Sequence, residues 1–400
     1  MNWRLSLLLL CAAQAVLADN PFKVVGYLPA GRFDMIDELA FHRLTHVNLA
    51  FVNPDNSGNL SCEGADVGPV VAKAHQYGCQ VFMSLGGGYL TPEAESAWAI
   101  ETLPANRPAF IAKLVQYVQQ HDLDGVDVDL EWQYVHDWYS PFILELKAAL
   151  APLNVSLTAA LPGSYRYPEI SPAALAAFDW VNMMAYDLTG PWAPANPGQH
   201  SPYDWAASCI PYWVAQGVSA DKLTLGVPFY GYDFGLSPVG AFTYGEIVGE
   251  DPANAMLDMS GMRFWNGIPT IQAKTQLALD QLAGVMIWEI GGDAFGADSV
   301  YSLLKVIDEI AGEAALSATQ AGVPRLEVYP NPVQGSLFVR SSEGMPGLAR
   351  VYDLRGELLL EKNDPGSEVL ELDVSALPPG PYLLCVATDN AVQRVKFIRF

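Results

Sequence analysis

Three acidic residues alternate with apolar ones in residues 124–132, which read DGVDVDLEW. Asp127, Asp129 and Glu131 lie two residues apart. A period of two indicates a β-strand with all three carboxyl groups on one face, each about 6.6 Å along from the last. Carboxyl groups this close cannot all ionise cheaply, so at least one should keep its proton near neutral pH. A protonated carboxyl beside ionised ones is what general acid catalysis of glycoside hydrolysis requires.

Two other interpretations of the acidic row compete with catalysis. Acids at positions i, i+2 and i+4 could bind a divalent cation, or they could form the solvated face of an edge strand. The intervening residues Val126, Val128 and Leu130 make the opposite face apolar, which disfavours a solvated edge strand. The cation interpretation can be decided only from the rest of the chain.

The composition indicates an acidic chain with a sizeable core. The 400 residues are 51% hydrophobic and carry a net charge of −23, most of it in the first 323 residues. This acidity argues against nucleic acid and anionic membranes as partners, and it is compatible with a neutral ligand such as a sugar. Residues 1–18 are predicted to be a signal peptide, because Arg4 precedes an apolar stretch too short to span a bilayer. No later stretch predicts a transmembrane segment.

Four cysteines follow the predicted signal peptide, namely Cys62, Cys79, Cys209 and Cys385. Their spacing is not that of a metal site. We expect buried free thiols, and a disulfide between Cys62 and Cys79 stays an open alternative.

Short apolar strands alternate with helices through most of the chain. Strands are predicted over residues 24–28, 45–52, 80–84, 125–131, 156–161, 180–186, 223–228 and 284–289, with helices such as 108–121, 140–150 and 270–281 between them. This α/β pattern predicts a (β/α)8 TIM barrel over residues 19–313. A doubly wound sheet is the alternative, but its Gly-rich phosphate turn after the first strand is missing. Functional residues of such barrels lie at the C-terminal ends of the strands, which is where Glu131 stands.

The last part of the chain has a different sequence pattern from the predicted barrel. Residues 314–323 are small and polar and are predicted to be a linker. Short alternating strands then follow, broken by turns such as Asn331-Pro332 and Pro379-Gly380. This pattern predicts a small all-β sandwich domain over residues 324–400.

Several motifs in the predicted barrel resemble those of glycoside hydrolase family 18, the chitinase family. Residues 124–131 resemble its DxxDxDxE signature. Ser84-Leu85-Gly86-Gly87 resembles its SxGG motif, and Met184-Ala185-Tyr186-Asp187 resembles its MxYD motif. Trp288 is similar to the tryptophan that forms the floor of the family's sugar site, and Tyr27 to the tyrosine that ends its first strand. The motifs occur in the family's order and on the expected strands.

The resemblance implies a role for each acid. Family members use the N-acetyl oxygen of the substrate as nucleophile. Glu131 would be the general acid and then the base, Asp129 would hydrogen-bond the acetamido group, and Asp127 would share a proton with Asp129. Tyr186 would position the acetamido carbonyl, and Asp187 would contact the sugar. This scheme needs no metal and no cofactor. The other residues implied at the substrate are Tyr27, Ser84, Gly86, Gly87, Met184 and Trp288, with Trp132, Trp192 and Trp265 as looser candidates.

Two features depart from the family pattern. Gly88 stands where many members carry a tryptophan after SxGG, and Tyr89 is the candidate replacement. Residues 229–269, between the seventh strand and the next helix, resemble members that lack an extra α+β insertion. A shallow, open groove would follow, which suits internal cuts.

The resemblance therefore implies an endo-acting chitinase that cleaves chitin or N-acetylglucosamine oligosaccharides with retention of configuration. An endo-β-N-acetylglucosaminidase acting on N-glycans is one alternative, although such enzymes often lack the acid that Asp187 supplies. A chitin-binding lectin is another, although lectin relatives typically lose the acid at the position of Glu131.

The tail has a resemblance of its own. Residues 324–400, with Tyr329-Pro330-Asn331-Pro332 and the segment 377–382, resemble the C-terminal sorting domain of the type IX secretion system of Bacteroidetes-type bacteria. The resemblance implies that the secretion machinery is a partner. The protein would be exported through the periplasm and then secreted or held at the cell surface. A carbohydrate-binding module is the alternative, but the tail has no tryptophan for stacking on sugars.

Overall fold

The computed structural model describes residues 22–321, 326–341, 348–353, 358–363, 369–387 and 392–400. The predicted signal peptide, residues 1–18, lies outside the described residues. The chain divides into two compact units, Met1–Gly312 and Glu313–Phe400.

The elements of the first unit alternate between strand and helix. The strands are β1 (Lys23–Pro29), β2 (His46–Pro54), β3 (Leu60–Cys62), β4 (Gln80–Gly87), β5 (Gly125–Leu130), β6 (Ser156–Pro162), β7 (Trp180–Met184), β8 (Leu223–Pro228), β9 (Tyr230–Asp233), β10 (Gly240–Thr243), β11 (Met259–Ser260), β12 (Arg263–Phe264) and β13 (Gly284–Trp288). The helices are α1 (Gly68–Gln76), α2 (Pro92–Glu101), α3 (Arg107–Gln120), α4 (Tyr139–Leu150), α5 (Pro172–Ala177), α6 (Tyr203–Ala215), α7 (Tyr244–Glu250), α8 (Ile268–Gln281) and α9 (Leu303–Ala321).

Eight parallel strands close into a barrel. The sheet runs β1-β13-β8-β7-β6-β5-β4-β2, and β1 also pairs with β2, which closes the ring. The predicted (β/α)8 barrel is confirmed, and the predicted strands differ from the observed ones only at their ends. β5 ends at Leu130 and β7 at Met184. Glu131, Tyr186 and Asp187 therefore lie just beyond the C-terminal ends of their strands, where barrels carry functional groups.

The two faces of the barrel strands enter different clusters. Val126, Val128 and Leu130 on β5 are fully buried in the large apolar cluster between strands and helices. The alternate positions point into the barrel, where Tyr27 and Phe82 belong to a separate buried cluster. Because alternate residues of a strand face opposite ways, Asp127 and Asp129 are directed into the barrel interior.

A small α+β element follows β8, and the sequence did not predict it. β9 to β12 form an antiparallel sheet in the order β10-β9-β12-β11. α7 begins with a capping box in which Thr243 and Glu246 satisfy each other's backbone N–H groups. The expectation that residues 229–269 lack an α+β insertion is therefore wrong. Strands of two to four residues are too short to give a period-two signal.

The second unit is all-β. Its strands are β14 (Leu326–Tyr329), β15 (Ser336–Ser341), β16 (Leu348–Tyr352), β17 (Leu358–Asn363), β18 (Val369–Asp373), β19 (Gly380–Ala387) and β20 (Val392–Arg399). They form two antiparallel sheets, β14-β15-β18 and β17-β16-β19-β20. Side chains from both sheets, such as Leu337 and Val351, share one buried cluster, as in a β-sandwich.

The predicted linker begins as helix. α9 continues through residues 314–321 of the predicted linker 314–323, and residues 322–325 lie outside the described part of the chain. The small residues there include Ala314, Ala315 and Ala318, and alanine favours a helix strongly. The predicted domain limits otherwise stay a prediction.

The described residues contain no helix that is both long and apolar enough to cross a membrane. The four described cysteines are free. Cys62, Cys79 and Cys209 are buried, and Cys385 is partly exposed.

The separate clusters predict separate folding of the two units. A chain that ends at Ala314 keeps the buried α9 residues Leu303, Leu304 and Ile307. Its barrel should unfold within about 4 °C of the barrel transition in the full chain, measured by calorimetry. A chain that ends at Ser302 loses those residues and should unfold far lower. If the chain ending at Ala314 were equally destabilised, the barrel would depend on the second unit.

Candidate active site

The acidic row occupies the centre of the barrel and its mouth. Asp127 and Asp129 are almost fully buried, with exposed fractions of 0% and 3%. In the parallel ladder Ser84 of β4 lies opposite Asp127, and Thr158 of β6 lies opposite it on the other side. Glu131 follows the last residue of β5 and lines an open cavity. The row therefore runs from a sealed interior to a solvent-accessible mouth.

Asp127 accepts hydrogen bonds from four side chains. Tyr27 Oη and Ser84 Oγ donate to its Oδ2 at 2.6 and 2.8 Å. Thr158 Oγ1 and Asn182 Nδ2 donate to its Oδ1 at 2.6 and 3.2 Å. Burial raises the pKa of Asp127, and these four donors act in the opposite direction. The carboxyl group is thus held in one orientation at the base of the site.

Asp129 has a different environment. Its Oδ1 is buried without a hydrogen-bond partner among the described residues. Burial, followed by the charges of Glu131 and Asp127, raises the pKa of Asp129 well above its ordinary value. The raised pKa favours the protonated form of this carboxyl, and its Oδ1 keeps hydrogen-bonding capacity for a ligand.

Glu131 is suited to proton transfer near neutral pH. Burial, and then the charge of Asp187, raises its pKa to about 7, while a hydrogen bond involving Trp132 acts in the opposite direction. An acid that titrates near the working pH can both give and accept a proton. Gly88 makes room for this carboxyl, because a Cβ there would lie only 2.7 Å from Glu131 Oε1. The glycine that replaces the family's tryptophan at position 88 therefore lies directly beside the Glu131 carboxyl.

Tyr186 and Asp187 lie in the turn after β7. The Tyr186 hydroxyl lies 3.7 Å from Met286 Sδ, and burial raises its pKa far above its ordinary value. The backbone of Asp187 has a φ of 65°, which is uncommon for a residue with a side chain. Asp187 Oδ1 accepts hydrogen bonds from Tyr230 and, at 3.0 Å, from Tyr232. The new α+β element thus helps to hold an acid of the site.

Trp288 ends β13 and remains partly exposed. Its ring lies 5.6 Å from that of Tyr27 and 5.6 Å from that of Phe51, with an angle of 18° to Phe51. Packing against Tyr27 and Phe51 fixes the indole ring. Its exposed part leaves a flat apolar surface at the mouth of the barrel, which suits stacking on a sugar ring.

The remaining predicted site residues also lie here. Gly86 and Gly87 have φ values of 102° and 101°, a region that favours glycine. A Cβ at Gly86 would meet the backbone oxygen of Asp129 at 2.8 Å. Met184 is partly exposed and lines the same cavity as Glu131.

Two cavities meet at Asp187. One of about 510 Å³ contains Glu131, Trp132, Tyr165 and Trp192. The other, of about 330 Å³, is lined by Asp187, Tyr230, Tyr232, Ala241, Phe242, Thr243, Glu246, Trp288 and Glu289. Trp132 and Trp192 are 55% and 59% exposed, so both can contact a ligand. Asp187 lines both cavities, and we call the two together the groove.

One candidate for sugar contact is wrong. Trp265 is fully buried and donates from its Nε1 to the backbone oxygen of Asn254 at 3.2 Å. It packs beside Phe242 inside the α+β element. Trp265 is therefore part of the core of that element.

Sequence reasoning missed several residues of the site. Thr158 and Asn182 hold Asp127, Tyr230 and Tyr232 hold Asp187, and Tyr165 lies beside Trp132 at 6.2 Å between ring centres. A single polar residue at an inward position of an apolar strand is the signal that could have found Thr158 and Asn182. The described residues include no group of three or more His, Cys, Asp or Glu that is arranged to hold a metal ion.

Two parts of the chain match models of known protein families. Residues 23–293, more than half of the chain, match the family model of glycosyl hydrolases family 18. The chain belongs to this family. Residues 327–399 of this family 18 hydrolase match a secretion system C-terminal sorting domain. The resemblance of the tail to a sorting domain is thereby confirmed, and it directs the protein to secretion or to the cell surface.

Solved structures and curated relatives agree with this assignment. The family 18 chitinase ChiB from the chitin utilization locus of Flavobacterium johnsoniae is 42% identical. It has a TM-score of 0.71 over 73% of this chain and 94% of that one. A chitinase from Bacteroides thetaiotaomicron is 26% identical, with a TM-score of 0.63 over 74% and 98% of the chains. A chitinase-like effector of Moniliophthora roreri is 27% identical over 52% of this chain. The chain spans only 58% of that relative's length.

The position of Asp187 gives a prediction about Glu131. Asp187→Asn removes a nearby negative charge, so it should lower the pKa of Glu131 from about 7. An NMR titration of ¹³C-labelled glutamate carboxyls measures this, with Glu131→Gln identifying the resonance. Asp204→Asn, a change at an exposed residue of α6, is the control and should leave the titration in place. An unchanged or higher pKa in Asp187→Asn would contradict the assigned coupling.

Proposed function

We propose that this protein is an endo-acting chitinase that hydrolyses β-1,4 N-acetylglucosamine linkages with retention of configuration, through substrate assistance. The observation that carries the proposal is the pairing of two unlike carboxyls. Glu131 has a pKa of about 7 at the mouth, and Asp129 is a buried acid whose pKa is raised well above its ordinary value and whose Oδ1 has no partner among the described residues. The 42% identity to a Flavobacterium johnsoniae chitinase supports chitin as the substrate.

In the first step the glycosidic bond breaks with help from the substrate. Glu131 gives its proton to the leaving oxygen while the acetamido oxygen of the same sugar attacks C1. The bond from C1 to the leaving oxygen breaks, and an oxazolinium ion forms. Asp129 accepts a hydrogen bond from the acetamido N–H as positive charge develops, and Tyr186 positions the acetamido carbonyl. A hydroxyl whose pKa is raised stays protonated and can donate in this way.

In the second step water opens the oxazolinium ring. Glu131, now ionised, takes a proton from the water, whose oxygen bonds to C1 from the face that the leaving group left. The bond from C1 to the acetamido oxygen breaks. Two inversions give net retention, and Glu131 is protonated again. Asp127 is held by four other donors, and the resemblance to the family assigns it a proton shared with Asp129 during the reaction.

The groove supports internal cleavage of a chain. Glu131 lines only one of the two cavities that share Asp187, so the groove holds space for sugars beyond the cavity of Glu131. Trp288 would stack under the reacting sugar, and Trp132 and Trp192 would contact sugars on the Glu131 side. A polymer passing through the groove would meet Glu131 along its length rather than at its end.

Two other functions make different products or none. An endo-β-N-acetylglucosaminidase would cleave a high-mannose glycoprotein in preference to chitin oligomers, and a chitin-binding lectin would bind both without turnover. Asp187 and Glu131, which are both in the groove, favour chitin hydrolysis over these alternatives. Product analysis on chitin oligomers beside a high-mannose glycoprotein separates the three.

The sorting domain supports a type IX secretion route. Residues 327–399 match a secretion system sorting domain, so the secretion machinery is the proposed partner of the tail. The site residues all lie in the first unit, which is consistent with a tail that serves export rather than chemistry.

The proton of Glu131 is the first point to test. Glu131→Gln should lower kcat on N-acetylglucosamine oligomers on the order of a thousandfold and leave oligomer binding nearly intact, because the amide cannot transfer a proton. Glu309→Gln is the matched control at an exposed acid of α9 that is paired with Lys305 at 3.8 Å. It should keep kcat within about tenfold. Activity retained in Glu131→Gln would reject the assigned acid.

Stereochemistry tests the nucleophile. Proton NMR of fresh product should show the β-anomer first, because attack by the acetamido oxygen retains configuration. Oligomers whose reacting sugar has lost its acetyl group should not be cleaved. The α-anomer appearing first, or ready cleavage of the deacetylated oligomer, would reject substrate assistance.

A further inference from the structure

A fully buried lysine lies beneath the turn that carries Tyr186 and Asp187. Lys274 of α8 has an exposed fraction of 0%. Its ammonium donates to the backbone oxygen of Ser201, to Ser201 Oγ and to Asn266 Oδ1, each at 2.7 Å. Three donors thus meet three neutral acceptors, and no ion pair to Lys274 occurs among the described residues.

Ser201 connects Lys274 to the backbone just after the end of β7 by a hydrogen bond. Its hydroxyl donates to the backbone oxygen of Ala185 at 2.6 Å, and Ala185 directly precedes Tyr186. Its own backbone oxygen also accepts from Asn266 Nδ2 at 3.0 Å. A continuous hydrogen-bonded path therefore runs from the Lys274 ammonium, through the Ser201 hydroxyl, to the backbone beside Tyr186.

His200, which precedes Ser201, lies close to Asp187 and Leu188 at the start of the same loop. The N–H of Leu188 donates to the backbone oxygen of His200 at 2.9 Å. The buried His200 ring lies with Nδ1 3.4 Å from Asp187 Oδ1 and Nε2 3.2 Å from the backbone oxygen of Tyr230. The loop of residues 187–201 thus starts and ends at one place, and Lys274 anchors its end.

We propose that Lys274 is a positioning residue for the substrate-contacting turn Tyr186–Asp187, acting through Ser201. This inference rests on the proposed function, which gives Tyr186 and Asp187 their substrate contacts. Lys274 also joins three segments, because Asn266 precedes α8 at the end of the α+β element and Ser201 precedes α6.

The free-energy cost of burying the Lys274 ammonium indicates that this side chain does more than fill volume. Burying an ammonium without a carboxylate partner is costly. Burial lowers the pKa of Lys274 to about 7, although the charges of Asp258 and Cys209 act in the opposite direction. A methionine of similar length would avoid that cost and still fill the volume. It would leave the Ser201 hydroxyl without its donor and let the turn move.

The test uses two variants of the path and one control. Lys274→Met removes the ammonium, and Ser201→Ala removes the hydroxyl that reaches Ala185. Thr275→Val is the control, because Thr275 is buried next to Lys274 but donates only within its own helix, to the Ile271 oxygen at 2.8 Å. The measurements are kcat and KM on N-acetylglucosamine oligomers, with circular dichroism to establish that each variant is folded.

Misplacement of a substrate-contacting group should act on kcat more than on KM. We expect kcat to fall on the order of tenfold or more in Lys274→Met and in Ser201→Ala, with KM within about threefold. The double variant should lose little more than either single variant, because both act on one path. Thr275→Val should stay within about twofold of the wild type in both constants.

The outcomes separate the two proposals. A folded Ser201→Ala with wild-type kcat would overturn the positioning role, and so would losses that multiply in the double variant. If Lys274→Met does not fold, Ser201→Ala decides alone. Wild-type protein without activity on these oligomers would overturn the proposed function, and the positioning role with it. An active wild type with unaffected variants would overturn the positioning role only.

Discussion

The carboxyl group of Asp127 accepts hydrogen bonds from Tyr27, Ser84, Thr158 and Asn182, which lie on four different strands of the barrel. A buried acid left without such donors would be costly, about 1–3 kcal/mol for each lost partner and more if charged. The barrel interior therefore has little freedom at this level. Because Asp129 and Glu131 follow Asp127 at alternate positions of one strand, fixing Asp127 also fixes the height and direction of the other two acids.

Electrostatics then divides the acids by role. Burial, and then the charges of Glu131 and Asp127, favour the protonated form of Asp129, while Glu131 lies at the mouth with a pKa of about 7. The charge of Asp187, held by tyrosines of the α+β element, contributes to the second shift. An apolar barrel supplies the desolvation and a single row of acids supplies the repulsion. Desolvation is the larger factor for both Asp129 and Glu131, and the repulsion between acids raises both pKa values further.

Local signals explain what could be predicted from the sequence. Apolar runs gave the eight barrel strands, and the period of two placed Asp127 and Asp129 on one face. Thr158 and Asn182 could not be assigned to Asp127, because they lie 31 and 55 residues from it and nothing local marks the partner. Trp265 was wrongly assigned to sugar contact, because its burial depends on an α+β element whose short strands were not predicted from the sequence. No local signal marks Lys274, because its burial arises only when distant loops pack on α8.

The central claim is that the groove recognises the acetamido group through Asp129, and a thiazoline analogue of the oxazolinium ion tests it most directly. Isothermal titration calorimetry should show tight binding of an N-acetylglucosamine thiazoline oligomer to the wild-type protein. The affinity should fall at least tenfold in Asp129→Ala, because the ring nitrogen loses its hydrogen-bond partner. Equal affinity in the two proteins, or no binding to the wild type, would contradict the account.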